Sequence, residues 1–263
     1  MIKKISSRFY IFLVFLFLYA PIFVLIGNSF NQSKSRTVWT GFTLDWYRRL
    51  FNNELILKSL ANTLIIAVIS SVLATIVGTA AAMGIHNMKK ISKSVIMNIT
   101  YLPIMNPEIV TGVSLMLLFV FMKLDFGYVT LVLAHVTFCV PYVILNVLPK
   151  LRQMNTNLCE AAMDLGCNTV QVYRHVIIPE ILPGIITGFL MSLTYSIDDF
   201  VISYFTYGAT SQTLSITIFS MTRRKVSPEV NALSAIIFVV VLTILLVMNI
   251  VDIQKHKKKK VSR

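Results

Sequence analysis

The chain has 263 residues, of which 56% are hydrophobic and only 13% charged, with a mean hydropathy of +0.75 and a formal net charge of +13. Such values lie outside the soluble globular range and define an integral membrane protein. Three cysteines do not make a disulfide framework: Cys139 falls in an apolar stretch, and Cys159 and Cys167 fall in a polar loop expected in the cytoplasm, where thiols stay reduced.

Six stretches are long enough to cross about 30 Å of hydrocarbon as helices: residues 9–27, 60–84, 95–121, 128–148, 184–204 and 232–251. They are continuous rather than alternating, which argues against transmembrane strands and for an all-α polytopic fold. Lys3, Lys4 and Arg8 precede the first stretch, but no small-x-small cleavage site follows, so an uncleaved first span is expected. Residues 28–59 follow as a mixed outer segment containing WTGFTLDWYRRLFNNE. Trp39, Phe42, Trp46, Tyr47, Leu50 and Phe51 alternate there with charge, the pattern of an amphipathic helix at a membrane interface, either a simple aromatic anchor or a binding surface. Residues 60–251 read as one packed permease unit, and residues 252–263 as a basic tail suited to anionic headgroups. With the N-terminus inside, Lys and Arg collect at the inner ends of the spans and in that tail, and the remaining nine fall outside. Both termini are therefore expected in the cytoplasm.

The polar segment at 149–182 is longer than a turn. From Glu160 it runs EAAMDLGCNTVQVYRHVIIPEILP, read as two short helices, residues 154–165 and 169–176, bent at Gly166 and closed by Pro179 and Pro183. Glu160, Ala161, Ala162, Gly166, Ile177, Pro179 and Pro183 occupy the places of the EAA loop, and the segment resembles that loop in the permeases of ABC importers. The resemblance implies a type I importer permease with the MetI-like fold, in which the first short helix seats in a cleft on a cytoplasmic ATPase. Ala161 and Ala162 are small enough for close docking, Gly166 permits a positive φ, and Glu160 either caps its helix or pairs with the ATPase.

The chain has no GxxxxGK[ST] phosphate loop, HExxH or GxSxG, and His86, His135, His175 and His256 are scattered, so no catalytic, metal or cofactor site is assigned. Glu108, Asp198 and Asp199 remain to be explained, since an acid within a span costs roughly 2.5–3.5 kcal/mol on insertion scales. Counted along straight helices, Glu108 and Asp198 share a level roughly 20 Å from the inner boundary. Pro103 and Pro107 should kink or unwind the third span at that depth. Tyr101, Tyr195 and Tyr204 add aromatic faces that attract alkylammonium ions. Asp198 and Asp199 diverge by about 100° on a helix, so one faces the pathway unless the helix is distorted. No Lys or Arg lies at this depth, which favours a cation over an anion.

MNPEIVTGVSL, LAHVTFCVPYV, LTYSIDDFVISYF and SPEVNALS, together with EAAMDLG, narrow the resemblance to the permeases of spermidine/putrescine importers, with Glu108 standing where that family commonly has Asp. The resemblance implies half of a heterodimeric pore in a bacterial inner membrane. Its companions would be a PotB-like second permease, a PotA-like ATPase dimer that binds and hydrolyses the ATP, and a PotD-like extracytoplasmic polyamine-binding protein. An importer for ferric iron, thiamine or an aminophosphonate, a stand-alone channel or carrier, and an intramembrane enzyme are the alternatives.

Overall fold

A helix satisfies its own backbone donors and acceptors without water, and the apolar stretches fold accordingly. The structure, a computed structural model, describes residues 2–34, 38–155, 157–224, 228–240, 242, 243 and 246. In chain order the helices are α1 (Ile2–Ser29), α2 (Asp45–Phe51), α3 (Glu54–His86), α4 (Lys90–Met105), α5 (Glu108–Phe121), α6 (Tyr128–Gln153), α7 (Asn157–Asp164) and α8 (Thr169–Val172). A π turn (Tyr173–Ile177) leads into α9 (Ile178–Asp198), followed by α10 (Val201–Thr206), α11 (Leu214–Arg224) and α12 (Pro228–Val240). Among the described residues, four helical runs are long and apolar enough to cross a membrane: Arg8–Ser29, Glu54–His86, Tyr128–Gln153 and Thr169–Asp198.

The expected third span is not one straight helix. α4 and α5 meet at 105°, so the single crossing read at 95–121 becomes a broken span or a re-entrant hairpin. Pro107 has no N–H to continue the ladder, and Asn106 before it is extended (ψ 145°), as residues preceding proline tend to be. The fifth span also departs from expectation. Pro179 and Pro183 do not close the polar loop; the helix begun at Thr169 continues through both prolines to Asp198. A π turn wider than an α turn precedes Pro179 and gives its ring room. The expected sixth span is described as helix only from Pro228 to Val240 and at isolated positions beyond, and the basic tail lies outside the described residues.

The backbone divides into two compact units, one of Met1–Leu57 with Ile218–Arg263 and the other of Lys58–Thr217. In the first, the outer segment is less helical than its aromatic pattern suggests: an isolated bridge joins Asn31 and Phe42, Gly41 sits at φ 148°, and among the described residues between α1 and α3 the helix is α2. Trp46 is buried rather than laid against lipid, and its indole N–H donates to the Asn31 carbonyl at 2.7 Å. The Arg49 guanidinium stacks 5.2 Å above the same ring.

The second unit is built on the antiparallel pair α6 and α9. Gly184, Gly188, Ser192 and Ser196 recur every four residues along α9 and are all buried. This small-residue stripe lets two backbones approach where hydrophobic burial gives no preference for protein over lipid. A Cβ on Gly184 would lie 2.9 Å from the Asn146 carbonyl oxygen, and one on Gly188 would lie 3.2 Å from Val143 Cα. Val143 is fully buried, and from α3 a Cβ on Gly78 would collide with its side chain. Higher on the seam, Cys139 Sγ donates to the Ser192 carbonyl at 3.5 Å. At the end of this unit opposite α7, Asn62 gathers the chain: its amide donates to the Thr210 and Gln212 carbonyls, and its Oδ1 accepts from the Tyr128 hydroxyl at 2.6 Å. Gly184→Val is expected to destabilise the α6–α9 pair by about 1–3 kcal/mol, because the Lys150 side chain can move aside but the Asn146 carbonyl oxygen, a backbone atom, cannot. A lowered thermal midpoint of the detergent-solubilised protein checks this; an unchanged midpoint contradicts the seam.

Candidate functional site

Both helix breaks open on one cavity of about 190 Å³ in the second unit. From the α4–α5 bend come Pro103, Glu108 and Thr111; from the end of α9 come Tyr195, Asp198 and Asp199; α6 adds Phe138 and Tyr142. Glu108, Asp198, Asp199 and Tyr195 are thus brought together. Counting residues along straight helices is not the reason, since α5 begins only at Glu108, after the bend. The acids meet because each stands at a helix interruption and the two interruptions face the same space.

The carboxylates differ in environment. Glu108 occupies the first turn of α5, where the helix dipole favours an anion by about 0.3–1 kcal/mol. That is less than the roughly 2.5–3.5 kcal/mol insertion cost, so the dipole alone does not account for an acid here. Asp198 is the last residue of α9, beside a helix C-terminus whose partial negative charge also favours cations, and it is exposed. Asp199 follows with extended backbone (ψ 128°), so the helix is distorted between the two acids and both border the cavity. The Asp199 side chain is nevertheless 4% exposed. Its Oδ1 accepts the Ile202 N–H at 3.2 Å and its Oδ2 the Ser203 N–H at 2.7 Å, capping α10.

Sequence reasoning missed Tyr142, whose ring stacks on Tyr195 with centroids 4.2 Å apart and planes at 25°. It also left His135 unassigned, although this side chain bridges α6 to both sides of the α9–α10 break. No sequence signal pairs residues so far apart, whereas the proline in CVPYV marks where Tyr142 lies. Tyr204 does not line the cavity; it packs on Phe200 and edge-on against Phe205. Tyr101 is likewise absent from the lining.

The loop residues form a second feature. α7 carries Glu160 in its first turn with Ala161 and Ala162, and none of its residues is buried. Gly166 has φ +90°, and its N–H donates to the Met163 carbonyl while the Cys167 N–H reaches back to Ala162, a Schellman stop. The next helix starts with a capping box: Asn168 Oδ1 accepts the Gln171 N–H, and Gln171 Oε1 accepts the Asn168 N–H. The N-T-V-Q spacing is the local signal for it. Behind α7 lies a cavity of about 270 Å³ bordered by Met83, His86, Leu151, Cys159, Glu160 and Tyr173. Leu165 and Val170, on either side of the bend, are strongly exposed.

Residues 74–260 match the family described as binding-protein-dependent transport system inner membrane component. The spermidine/putrescine transport system permease protein PotC of Haemophilus influenzae is 37% identical over 250 residues, covering 93% of this chain and 97% of that protein. PotC of Escherichia coli K12 is 34% identical over 257 residues, covering 98% and 97%. The putrescine transport system permease protein PotI of the same organism is 39% identical over 231 residues, covering 85% and 82%. In fold, the chain is similar to a bacterial ABC transporter involved in import of the acidic polysaccharide alginate, with a TM-score of 0.72 at 16% identity and 95% of each chain covered. The family match and the near-complete coverage of these permeases agree with the helical architecture: the chain belongs to the binding-protein-dependent transport system inner membrane components.

Proposed function

We propose that this chain is a permease subunit of an ATP-driven polyamine importer, one half of a heterodimeric pore in a bacterial inner membrane with both termini in the cytoplasm. The relatives named for spermidine and putrescine support that substrate class. The single observation that carries the reading is the cavity, where Glu108 and Asp198 face one space beside the stacked Tyr142 and Tyr195 rings and, among the described residues, no Lys or Arg borders it. A flexible alkylammonium chain finds there carboxylates for its charges, a helix C-terminus of the same polarity, and aromatic faces for its methylenes.

In this proposal, a PotD-like binding protein delivers polyamine to the outer face, and a PotB-like permease supplies the other half of the pathway. A PotA-like ATPase dimer receives the loop at α7 and holds the ATP, so this chain needs no cofactor of its own. Exposed Met163, Leu165 and Val170 give the loop the apolar surface such docking requires. Glu160, Ala161 and Ala162 lie on the docking helix, and Gly166 sets its angle to the helix that reaches the cavity. Attraction in the pathway must stay weak, because a deep cation site retains what it should pass.

Uptake of labelled spermidine by cells carrying the whole transporter, competed by unlabelled spermidine and putrescine, tests the substrate; uptake that neither polyamine reduces contradicts it. Asp198→Asn should lower uptake roughly ten-fold, equivalent to about 1.4 kcal/mol, with the assembly still purifying intact. Normal uptake by that variant removes Asp198 from the pathway. Gly166→Pro, which cannot adopt φ +90°, should abolish substrate-stimulated ATP hydrolysis while leaving basal hydrolysis in place. Unchanged stimulation is the result that counts against the loop's role.

A further inference from the structure

His135 has no part in the pathway just described, yet it is 1% exposed and fully engaged. From α6 its Nδ1 lies 2.6 Å from the Ser196 hydroxyl, in the last turn of α9, and its Nε2 lies 2.9 Å from the Ser203 hydroxyl, in α10. One imidazole therefore holds both sides of the break that separates these helices. The same Nε2 is 3.6 Å from Asp199 Oδ2, too long for a hydrogen bond but close enough for the buried ring to lie against the carboxylate. Asp199 borders the cavity, and its side chain is turned instead onto the α10 N–H groups and the imidazole.

We propose that His135 is a positioning residue of the substrate pathway: it keeps the Asp199 carboxylate withdrawn onto α10, so that a passing cation meets Glu108 and Asp198 rather than three acids. The inference rests on the polyamine reading above. Its physical basis is the requirement for weak attraction. Asp198 and Asp199 are adjacent in sequence at the rim of one small cavity, and a third carboxylate swinging in would add to the charge already presented by Glu108 and Asp198. Such a site binds a polycation tightly and releases it slowly. Ser196 and Ser203 act as the two anchors that stop the ring from following the substrate.

Two neutral replacements divide the imidazole's contacts. His135→Gln keeps a polar group near Nε2, beside Ser203 and Asp199, whereas His135→Asn keeps one near Nδ1 only. Measured as spermidine uptake by the full transporter, with the amount of assembled complex quantified, His135→Gln should retain Vmax within about two-fold of the parent. His135→Asn should lower Vmax by about five-fold and lower KM with it, the kinetic pattern of an over-stabilised bound state. Adding Asp199→Asn to His135→Asn should restore Vmax to within about two-fold of Asp199→Asn alone. A loss of Vmax without a fall in KM, or one that Asp199→Asn does not repair, overturns the proposal. A second arm needs no transport. A hydrophobic carbodiimide applied to the purified parent complex, followed by peptide fragmentation, should modify Glu108 and Asp198 well before Asp199. Equal modification of Asp198 and Asp199 overturns the role of His135 whatever the complex carries. The expected labelling in a complex that moves no polyamine refutes the substrate reading and leaves the withdrawn carboxylate standing.

Discussion

The Asp199 carboxylate, received by two backbone N–H groups of α10, is the interaction on which the arrangement of the second unit turns. A helix interrupted inside hydrocarbon exposes unpaired amides, each costly without water. Asp199 satisfies two of them from within the chain, and His135 ties the flanking turns to α6 through Ser196 and Ser203. The break is therefore a built feature rather than a frayed end. It leaves the C-terminus of α9, with Asp198 upon it, facing open space.

The α4–α5 bend complements it. One interruption presents a helix N-terminus, the other a helix C-terminus, and the acids on them border the same volume. Broken helices at membrane depth are tolerated where they line a cavity, and half-helix ends are means by which transporters coordinate ions without a dedicated metal site. Here the N-terminal end is counterbalanced by Glu108, so the negative end of α9 is left to set the character of the space.

Much of this was legible in the residues. Hydropathy located the long helices, and Pro107 announced the interruption in the third, although not an angle of 105°. Gly166 was readable as a bend because a positive φ there has few alternatives. The junction of the loop with the fifth span was misread, since Pro179 and Pro183 are ordinarily stops and the π turn that accommodates them has no pattern of its own. In the outer segment the aromatic spacing suggested a longer amphipathic helix, while Trp46 was drawn inward by a hydrogen bond to Asn31, fifteen residues away. His135 illustrates the remaining limit: its meaning comes from Ser196 and Ser203, 61 and 68 residues further on, and only the antiparallel seam of α6 and α9 makes them neighbours. The glycines and serines of that seam, spaced by four, mark a packing face on α9 but do not name α6 or His135 as what it meets.

The unbroken run from Thr169 to Asp198 has a mechanical meaning. Thirty residues of helix form a strut of about 45 Å with the exposed bend of the loop at one end and an acid at the other. Its ladder is irregular near the loop end, at the π turn Tyr173–Ile177 and at Pro179 and Pro183. In the proposed importer, thrust or twist received at Thr169 would be carried along this run toward Asp198 by the helix itself. Under the proposed function, a cation that tightens its hold on Asp198 would by reciprocity bias the distant loop through the same strut.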